Sequence, residues 1–325
     1  MRQLSILLAL AGLTVSVLLV AWFNAGQVLE VALSVGWWGF GLLALWQLGL
    51  FLLLGLAWSV TLPGVRRGRL VWGRMVRDSA ITCLPFSPVG GFVIGARAVT
   101  VLGVPWVTAA AGTVADVTAE TAGQALFSLF GLAALLVLLP DSALVLPLVA
   151  ALGLAGGLAG VAFALRARIG RVLRGLVRGL GRRLLGDWFQ NQGGLEQVGD
   201  ELARLLSHPR RWLGATSVHL TGWFATGLGT WISLRLLGHD AGVLPVLALE
   251  ALLDALVAAA FVVPGAAGVQ EAGYIGLGAA FGVPPDVALS VSLLRRAQDL
   301  ALGVPILAAW QWMELRRVRA ARQAA

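Results

Sequence analysis

Apolar runs, each about as long as a membrane-spanning helix, recur along this sequence. A helix needs about 20 apolar residues to cross the hydrocarbon core of a bilayer. Runs close to that length occupy residues 4–23, 37–62, 121–139, 144–165, 212–237 and 286–312. The 325 residues are 58% hydrophobic and only 12% charged, which leaves too few polar side chains to cover a water-soluble core. The pattern predicts an all-α, polytopic integral membrane protein with one transmembrane domain, 1–325.

Two further apolar regions, 78–105 and 243–284, are broken by proline, glycine and charged residues. Irregular backbone at membrane depth is tolerated only where it is buried in protein or lines a cavity. We expect each region to be a re-entrant helical hairpin that returns to its own side, which gives about six full spans. Two full crossings in each region would instead give roughly eight or more spans. The candidate backbone hinges are Pro85, Pro88, Gly90, Gly91, Pro264, Gly265, Gly268, Gly282 and Pro284.

Arginine clusters indicate how the spans are oriented. All 24 basic residues are arginine, and most lie in clusters at 66–77, 166–183 and 316–322. Basic residues collect on the cytoplasmic side, so we predict that both termini, the loop 166–211 and the tail 313–325 are cytoplasmic. The basic half of the loop is expected to lie against anionic lipid headgroups. Because the clusters alternate with apolar runs, they report topology, and we expect no nucleic-acid partner.

Both broken regions end in the tripeptide Gly-Val-Pro, and charged residues follow at matching distances. Asp116 and Glu120 lie 11 and 15 positions after the first of these prolines. Arg295 and Asp299 lie 11 and 15 positions after the second. One apolar span follows each broken region. After the first region, the alternative is a longer helix that begins near residue 106. The matching offsets predict an internal repeat.

The approximate repeat halves are 37–165 and 212–312. By the placement of the arginines, the first broken region enters the membrane from the cytoplasmic side and the second from the opposite side. The halves are therefore predicted to form an inverted repeat, an arrangement typical of transporters with alternating access. We expect the two broken segments to meet centrally and to form the site.

Several charged residues lie inside otherwise apolar segments. A charge at the bilayer centre costs roughly 2.5–3.5 kcal/mol on insertion scales, so these residues need partners or water. Ion pairs that join helices are one explanation; a polar, water-accessible cavity is the other. Surplus carboxylates there are suited to carrying protons or binding a cation. The candidate substrate-binding or coupling residues are Arg97, Asp116, Glu120, Glu250, Asp254, Glu271, Tyr274, Arg295 and Asp299.

Other kinds of chemistry have little support in the sequence. The one cysteine, Cys83, excludes a CxxC metal motif, and the three histidines show no metal-ligand spacing. The chain has no GxSxG or HExxH motif, and without lysine it has no phosphate-binding GxxxxGK[ST] loop. We therefore expect no metal, no cofactor and no enzymatic activity.

The residues from Pro264 to Arg295 resemble those of a known family. Pro264, Gly265, Gly268 and Glu271 form a Pro-Gly-x-x-Gly-x-x-Glu run, and Gly-x-Pro and an arginine-bearing apolar helix follow. This pattern is similar to that of the lysylphosphatidylglycerol synthase transmembrane-region superfamily, a flippase-like membrane domain. The continuation around 292–299, with Trp-Gln further on, looks like the hopanoid-biosynthesis-associated branch.

The resemblance implies a function as well as a fold. It implies a bacterial inner-membrane protein that translocates a lipid, either a hopanoid or a polar-headed lipid. The alternatives are a non-catalytic accessory or scaffold protein of membrane hopanoid biosynthesis and, less favoured, a membrane-embedded lipid-modifying enzyme. The implied partners are membrane lipids, hopanoid or phospholipid, and proteins of hopanoid biosynthesis.

Overall fold

The computed structural model describes residues 25–84, 88–164, 194–260 and 268–323. These residues form eleven α-helices and no strands, which confirms the predicted all-α class. The helices are α1 (Ala25–Ser34), α2 (Gly36–Thr61), α3 (Arg67–Cys83), α4 (Pro88–Val101), α5 (Trp106–Leu138), α6 (Val145–Ala164), α7 (Gly194–Leu206), α8 (Pro209–Leu236), α9 (Val243–Ala259), α10 (Val269–Ala280) and α11 (Pro285–Gln323).

Among the described residues, two helices are both long enough and apolar enough to cross a membrane, namely α2 and α5. The predicted runs 144–165, 212–237 and 286–312 correspond to α6, α8 and α11. The run 121–139 is only the second half of α5, which begins at Trp106, directly after Pro105. Of the two alternatives for this region, the span 121–139 and a longer helix that begins near residue 106, the structure has the longer helix. The run 4–23 lies outside the described residues.

A pair of short helices that pack against each other forms at each broken region, although the first of them, α3, begins 11 residues before the predicted start at 78. The first pair is α3 and α4, with 17 and 14 residues, and the second is α9 and α10, with 17 and 12. All four are shorter than the roughly 20 residues that a full span needs. Among the predicted hinges, Pro85, Pro264 and Gly265 lie outside the described residues. The helix lengths fit re-entrant hairpins better than full crossings.

The predicted hinges Gly90 and Gly91 lie inside α4 and not at a bend. A Cβ atom on Gly91 would lie 3.1 Å from the backbone oxygen of Arg77 and would overlap the side chain of Ile81. The missing side chain therefore lets α3 and α4 approach closely. Pro88 begins α4, where a proline costs no helical hydrogen bond.

The two Gly-Val-Pro tripeptides have the same local structure. Gly103 and Gly282 have φ values of 87° and 78°, a left-handed conformation that glycine adopts without strain. In each case the valine N–H donates to the carbonyl five residues earlier, at 3.2 Å for Val104 and 2.8 Å for Val283, as in a Schellman motif. The next long helix begins directly after the proline. The tripeptide is thus a helix stop followed at once by a helix start.

The order of helices is repeated along the chain. In α2–α3–α4–α5 and in α8–α9–α10–α11, a long helix precedes a short pair and a second long helix. The halves contact each other through equivalent elements, since α3 packs on α11, α9 packs on α5, and α2 packs on α8. This pairing is expected of two halves related by a two-fold axis. The inverted sense of the repeat stays a prediction.

The described end of the loop 166–211 contains the amphipathic helix α7. Its apolar residues Val198, Leu202 and Leu205 pack into a cluster with Trp58 and residues of α5. On its outer side Arg204 donates to Glu201 at 2.7 and 2.6 Å, and this hydrogen bond lowers the pKa of Glu201. The part of this loop in the structure is therefore docked on the helix bundle. The arginine-rich part lies outside the described residues.

Candidate functional site

A cavity of about 470 Å³ lies where the two halves meet. Leu43, Trp46, Leu54, Trp223 and Val291 are among its apolar wall residues. Four cationic and four anionic side chains also line it: Arg74, Arg77, Asp78, Glu120, Asp254, Arg295, Arg296 and Asp299. The first four come from α3 and α5 and the others from α9 and α11, so both halves supply charge to one space.

In the first half, two arginines of α3 bind carboxylates of α3 and α5. Arg77 donates to Glu120 at 2.6 Å, to Asp116 at 3.1 Å and to Asp78 at 3.1 Å. Arg74 donates to Asp78 at 2.5 Å and to Glu120 at 2.7 Å. Both arginines are at most 4% exposed, and Asp116 is fully buried. Buried charges of this kind are tolerated because nearly every one has a partner.

A third helix joins this network through His219 of α8. Its Nε2 atom lies 3.0 Å from Oδ1 of Asp116, and both side chains are fully buried. On the other side, the guanidinium of Arg77 lies over the ring of Phe92, 5.3 Å from its centre. The network therefore connects α3, α4, α5 and α8 through one set of charges.

In the second half, Glu250 of α9 is held by three donors. Arg295 donates to its Oε1 atom, while Thr230 and Tyr274 donate to Oε2 at 2.8 and 3.0 Å. Arg295 also donates to the hydroxyl of Tyr274 at 3.1 Å. Arg295 and Asp299 lie four residues apart in α11, a spacing at which opposite charges on one helix can pair. The structure instead pairs Arg295 with Glu250, because α9 and α10 present a fully buried carboxylate and a hydroxyl to it.

Two carboxylates of the cavity have no ion-pair partner among the described residues, Asp254 and Asp299. Asp254 is 7% exposed, and its Oδ2 atom is buried with no hydrogen-bond partner. Asp299 lines the cavity, and its backbone carbonyl accepts a hydrogen bond from the thiol of Cys83 at 3.4 Å. The second half therefore has anionic groups whose charge is not matched by a direct contact.

Glu271 stabilises the start of α10. Its Oε2 atom accepts a hydrogen bond from the N–H of Gly268 at 2.8 Å, and its Oε1 atom accepts one from Arg296 at 3.1 Å. Gly268 has a φ of 77°, so the predicted hinge here is a real turn. Next to it, Gln270 reaches across to Ser292 of α11 at 3.0 Å. These contacts fix α10 against α11 at the edge of the cavity.

Arg97 is the one predicted candidate that the structure places apart from the others. It pairs with Glu314 near the end of α11, and its side chain is 41% exposed. Beside it, Arg317 donates to the backbone oxygen of Thr100 at 2.8 Å. These contacts tie α4 to the last turns of α11, and none of these side chains lines the cavity.

Four residues of the network were not among the predicted candidates: Arg74, Arg77, Asp78 and His219. The arginines stand in a cluster that was interpreted as cytoplasmic, yet only Arg66 and Arg67 are exposed there. A signal was available in the sequence. Counted from the start of their 17-residue helices, Arg74 and Asp78 have the same positions as Glu250 and Asp254.

The fold and the cavity define a helical membrane protein with a charged internal site shared by two related halves. A family model described as "Lysylphosphatidylglycerol synthase TM region" matches residues 9–306. The chain belongs to this family, which agrees with the resemblance carried by the residues around Pro264 and Glu271. No curated protein and no solved structure is detectably similar to the chain.

Proposed function

We propose that this protein moves a membrane lipid between leaflets, with the polar headgroup of the lipid passing through the central cavity. The observation that carries the proposal is that one cavity combines apolar wall residues with charged side chains from both halves. An amphiphile needs both kinds of surface at once. Membership of the lipid-related family supports the same class of substrate.

The size of the cavity fits a headgroup and not a whole lipid. Small-molecule sites commonly have volumes of about 300–1,000 Å³, and 470 Å³ lies within that range. The acyl or polycyclic part of the substrate would remain in the hydrocarbon core of the bilayer, so that no apolar surface is transferred into water. Ionised groups such as Glu120 and Arg295 favour a polar-headed lipid, while a polar-headed hopanoid derivative is the second substrate we propose.

The mechanism we propose is alternating access. Two related halves, each with a pair of short helices, would open the cavity first to one leaflet and then to the other. In this proposal the protein lies in a bacterial inner membrane with both termini in the cytoplasm. A scaffold role beside enzymes of hopanoid biosynthesis is the competing proposal, and it predicts no lipid movement by the purified chain.

A cavity-filling substitution tests the proposal. Thr226 lines the cavity, and its hydroxyl bonds only to the backbone of its own helix, at Gly222. Thr226→Trp should therefore fill the space without breaking an ion pair. Thr221→Trp places the same side chain on the exposed side of α8 and serves as the matched control.

The measurement is headgroup-labelled phospholipid translocation in proteoliposomes that contain the full chain. We expect wild type and Thr221→Trp to expose the inner-leaflet label to an impermeant quencher, and Thr226→Trp to lose at least tenfold in rate. Equal melting temperatures in detergent establish that both variants are folded. Undiminished translocation by folded Thr226→Trp, or none by wild type with phospholipid or hopanoid substrates, would contradict the proposal.

A further inference from the structure

We propose that Asp254 is the proton-binding site of this cavity, and that its protonation is coupled to lipid movement. The coupling rests on the function proposed above, whereas the binding of the proton does not. The inference comes from comparing the two halves of the chain position by position and from the surroundings of the Asp254 carboxyl group.

The residue of α3 that matches Asp254 in position is Asp78, and Asp78 has arginine counter-ions. Asp78, at the matching position of α3, receives hydrogen bonds from Arg74 at 2.5 Å and from Arg77 at 3.1 Å. In α9 the residue that corresponds to Arg77 is Leu253, which is fully buried in apolar contacts. Asp254 therefore stands where a carboxylate is neutralised in the first half, without the arginine that neutralises it there.

Two of the remaining charges of the first half have counterparts of opposite sign, whereas Glu120 and its counterpart Asp299 are both acidic. Arg74 and Asp116 correspond to Glu250 and Arg295, so the acid and the base have exchanged helices. The exchange leaves Glu250 fully bonded, since Arg295, Thr230 and Tyr274 all donate to it. No hydrogen-bond donor is left for the side chain of Asp254, which lies one helical turn further along the same face of α9.

The groups around Asp254 are few. Its own helix contributes Glu250 and α11 contributes Arg295, while Arg296 and Asp299 of α11 line the same cavity. From α5, Gln124 donates to the backbone oxygen of Asp254 at 3.4 Å, with Glu120 one turn away, and α8 presents the hydroxyls of Thr226 and Thr230. Arg295 is bonded to Glu250 and Arg296 to Glu271, and none of these donors bonds to the side chain of Asp254.

Burying an ionised carboxylate in these surroundings costs several kcal/mol of free energy unless its charge is compensated. Binding of a proton from cavity water forms an O–H bond at the carboxyl group and removes the charge; release returns the proton to the cavity. A metal cation would need several oxygen ligands. Within the described residues there is no group of three or more His, Cys, Asp or Glu that could hold a metal ion. The proton is therefore the cation that fits.

Release of the proton has a mechanical consequence. Ionised Asp254 and Glu250 would lie on one helix face as two carboxylates competing for Arg295, which is 31% exposed to the cavity. Arg295 begins the charged turn of α11, and Glu250 belongs to the short pair α9–α10. Protonation of Asp254 therefore determines how strongly α11 is held to that pair, which is the contact an alternating mechanism has to change.

Proton binding is tested on the purified full chain by infrared difference spectroscopy during acidification. We expect the C=O band of protonated carboxyl groups to be smaller by about one carboxyl in Asp254→Asn and restored in Asp254→Glu. Asp240→Asn changes an 84% exposed aspartate. Because exposed aspartates protonate near pH 4, it should leave the band that forms above about pH 5.5 unchanged. An undiminished band in folded Asp254→Asn would overturn the proposal, as would a band that responds to sodium ions at constant pH.

Stability gives an independent readout that no transport assay influences. Asp78→Asn removes a partner from two buried arginines and should lower the melting temperature. Asp254→Asn replaces an unpartnered carboxyl group with a neutral group of the same shape, so we expect an unchanged or higher melting temperature. A fall as large as that of Asp78→Asn would show that Asp254 is ionised and paired, contrary to the proposal.

Coupling is tested in proteoliposomes with an imposed pH gradient. We expect the gradient to change the translocation rate of wild type at least threefold and to have no effect on Asp254→Asn. If no lipid moves in wild type while the infrared band still depends on Asp254, the transport function fails and the proton site stands. If lipid moves and responds to the gradient equally in both proteins, the function stands and the coupling fails.

Discussion

Arg77 contacts the same three carboxylates as Arg74 and is the more deeply buried of the two arginines. It donates to Asp78, Asp116 and Glu120 and lies over the ring of Phe92, while only 1% of the residue is exposed. Its flat, five-donor guanidinium suits three carboxylates at once, which the point charge of a lysine would not. This one side chain fixes the relative positions of α3, α4 and α5.

Arg77→Gln should strongly destabilise the protein. The substitution leaves three buried or half-buried carboxylates with one arginine, and removing one partner of a buried ion pair typically costs about 3–5 kcal/mol. Arg235→Gln is the control, because Arg235 pairs with Asp240 at an exposed position where a pair contributes about 0–1 kcal/mol. Unfolding in detergent measures both. Equal losses for the two variants would show that burial does not matter here.

At the scale of elements, the Gly-Val-Pro tripeptide determines how each half is built. Its glycine ends a short helix in the left-handed conformation and its proline allows the next helix to begin directly. Only four residues therefore separate the two helices in each half, and the following helix starts at a fixed register. That register places Glu120, Arg295 and Asp299 at the cavity, while Asp116 is fully buried and accepts a hydrogen bond from Arg77.

Gly282→Ala should destabilise the protein by about 1–2 kcal/mol, the usual cost of a left-handed residue with a Cβ atom. Nothing lies within 4 Å of the added methyl group, so the cost comes from the backbone alone. Gly276→Ala is the control: it lies in α10, is equally uncrowded, and should gain up to about 1 kcal/mol from helix propensity. Unfolding in detergent distinguishes them, and a neutral Gly282→Ala would refute the strained-turn explanation.

At the scale of the whole molecule, the protein is two related halves around one charged space. Equivalent helices make the contacts between the halves, with α3 on α11 and α9 on α5. Some matched positions carry opposite charges, as Arg74 and Glu250 do, and Arg77 corresponds to the apolar Leu253. The lining is therefore not symmetric even though the helix order is repeated. An asymmetric lining on a repeated framework gives the cavity two chemically different walls.

Cysteine labelling tests the inverted sense of the repeat. In a Cys83→Ala background, Pro85→Cys and Pro264→Cys should be labelled by an impermeant thiol reagent from opposite sides of the membrane. Asp141→Cys and Asp240→Cys provide the side reference, because they lie in turns without arginine, 140–143 and 238–242, which the positive-inside rule places away from the cytoplasm. Labelling of both hairpins from the same side would contradict the inverted repeat.

The sequence by itself determined the helical class, the membrane setting, the two broken regions and the register of the repeat. These depend on local quantities, namely the length of apolar runs, the conformational freedom of glycine and the constraints of proline. Asp116, Glu120, Glu250 and Arg295 were found in the same way, because a charge in an apolar segment is conspicuous in one dimension.

Only the tertiary structure decided which charge meets which. Arg295 looked like the partner of Asp299, one turn away, yet it binds Glu250 from a different helix. Arg77 looked like a surface residue and is buried. Spacing within one helix shows which residues share a face, but the partner of that face comes from a segment distant in sequence. The unmatched carboxyl group of Asp254 could be seen only once Arg295 was known to bind Glu250.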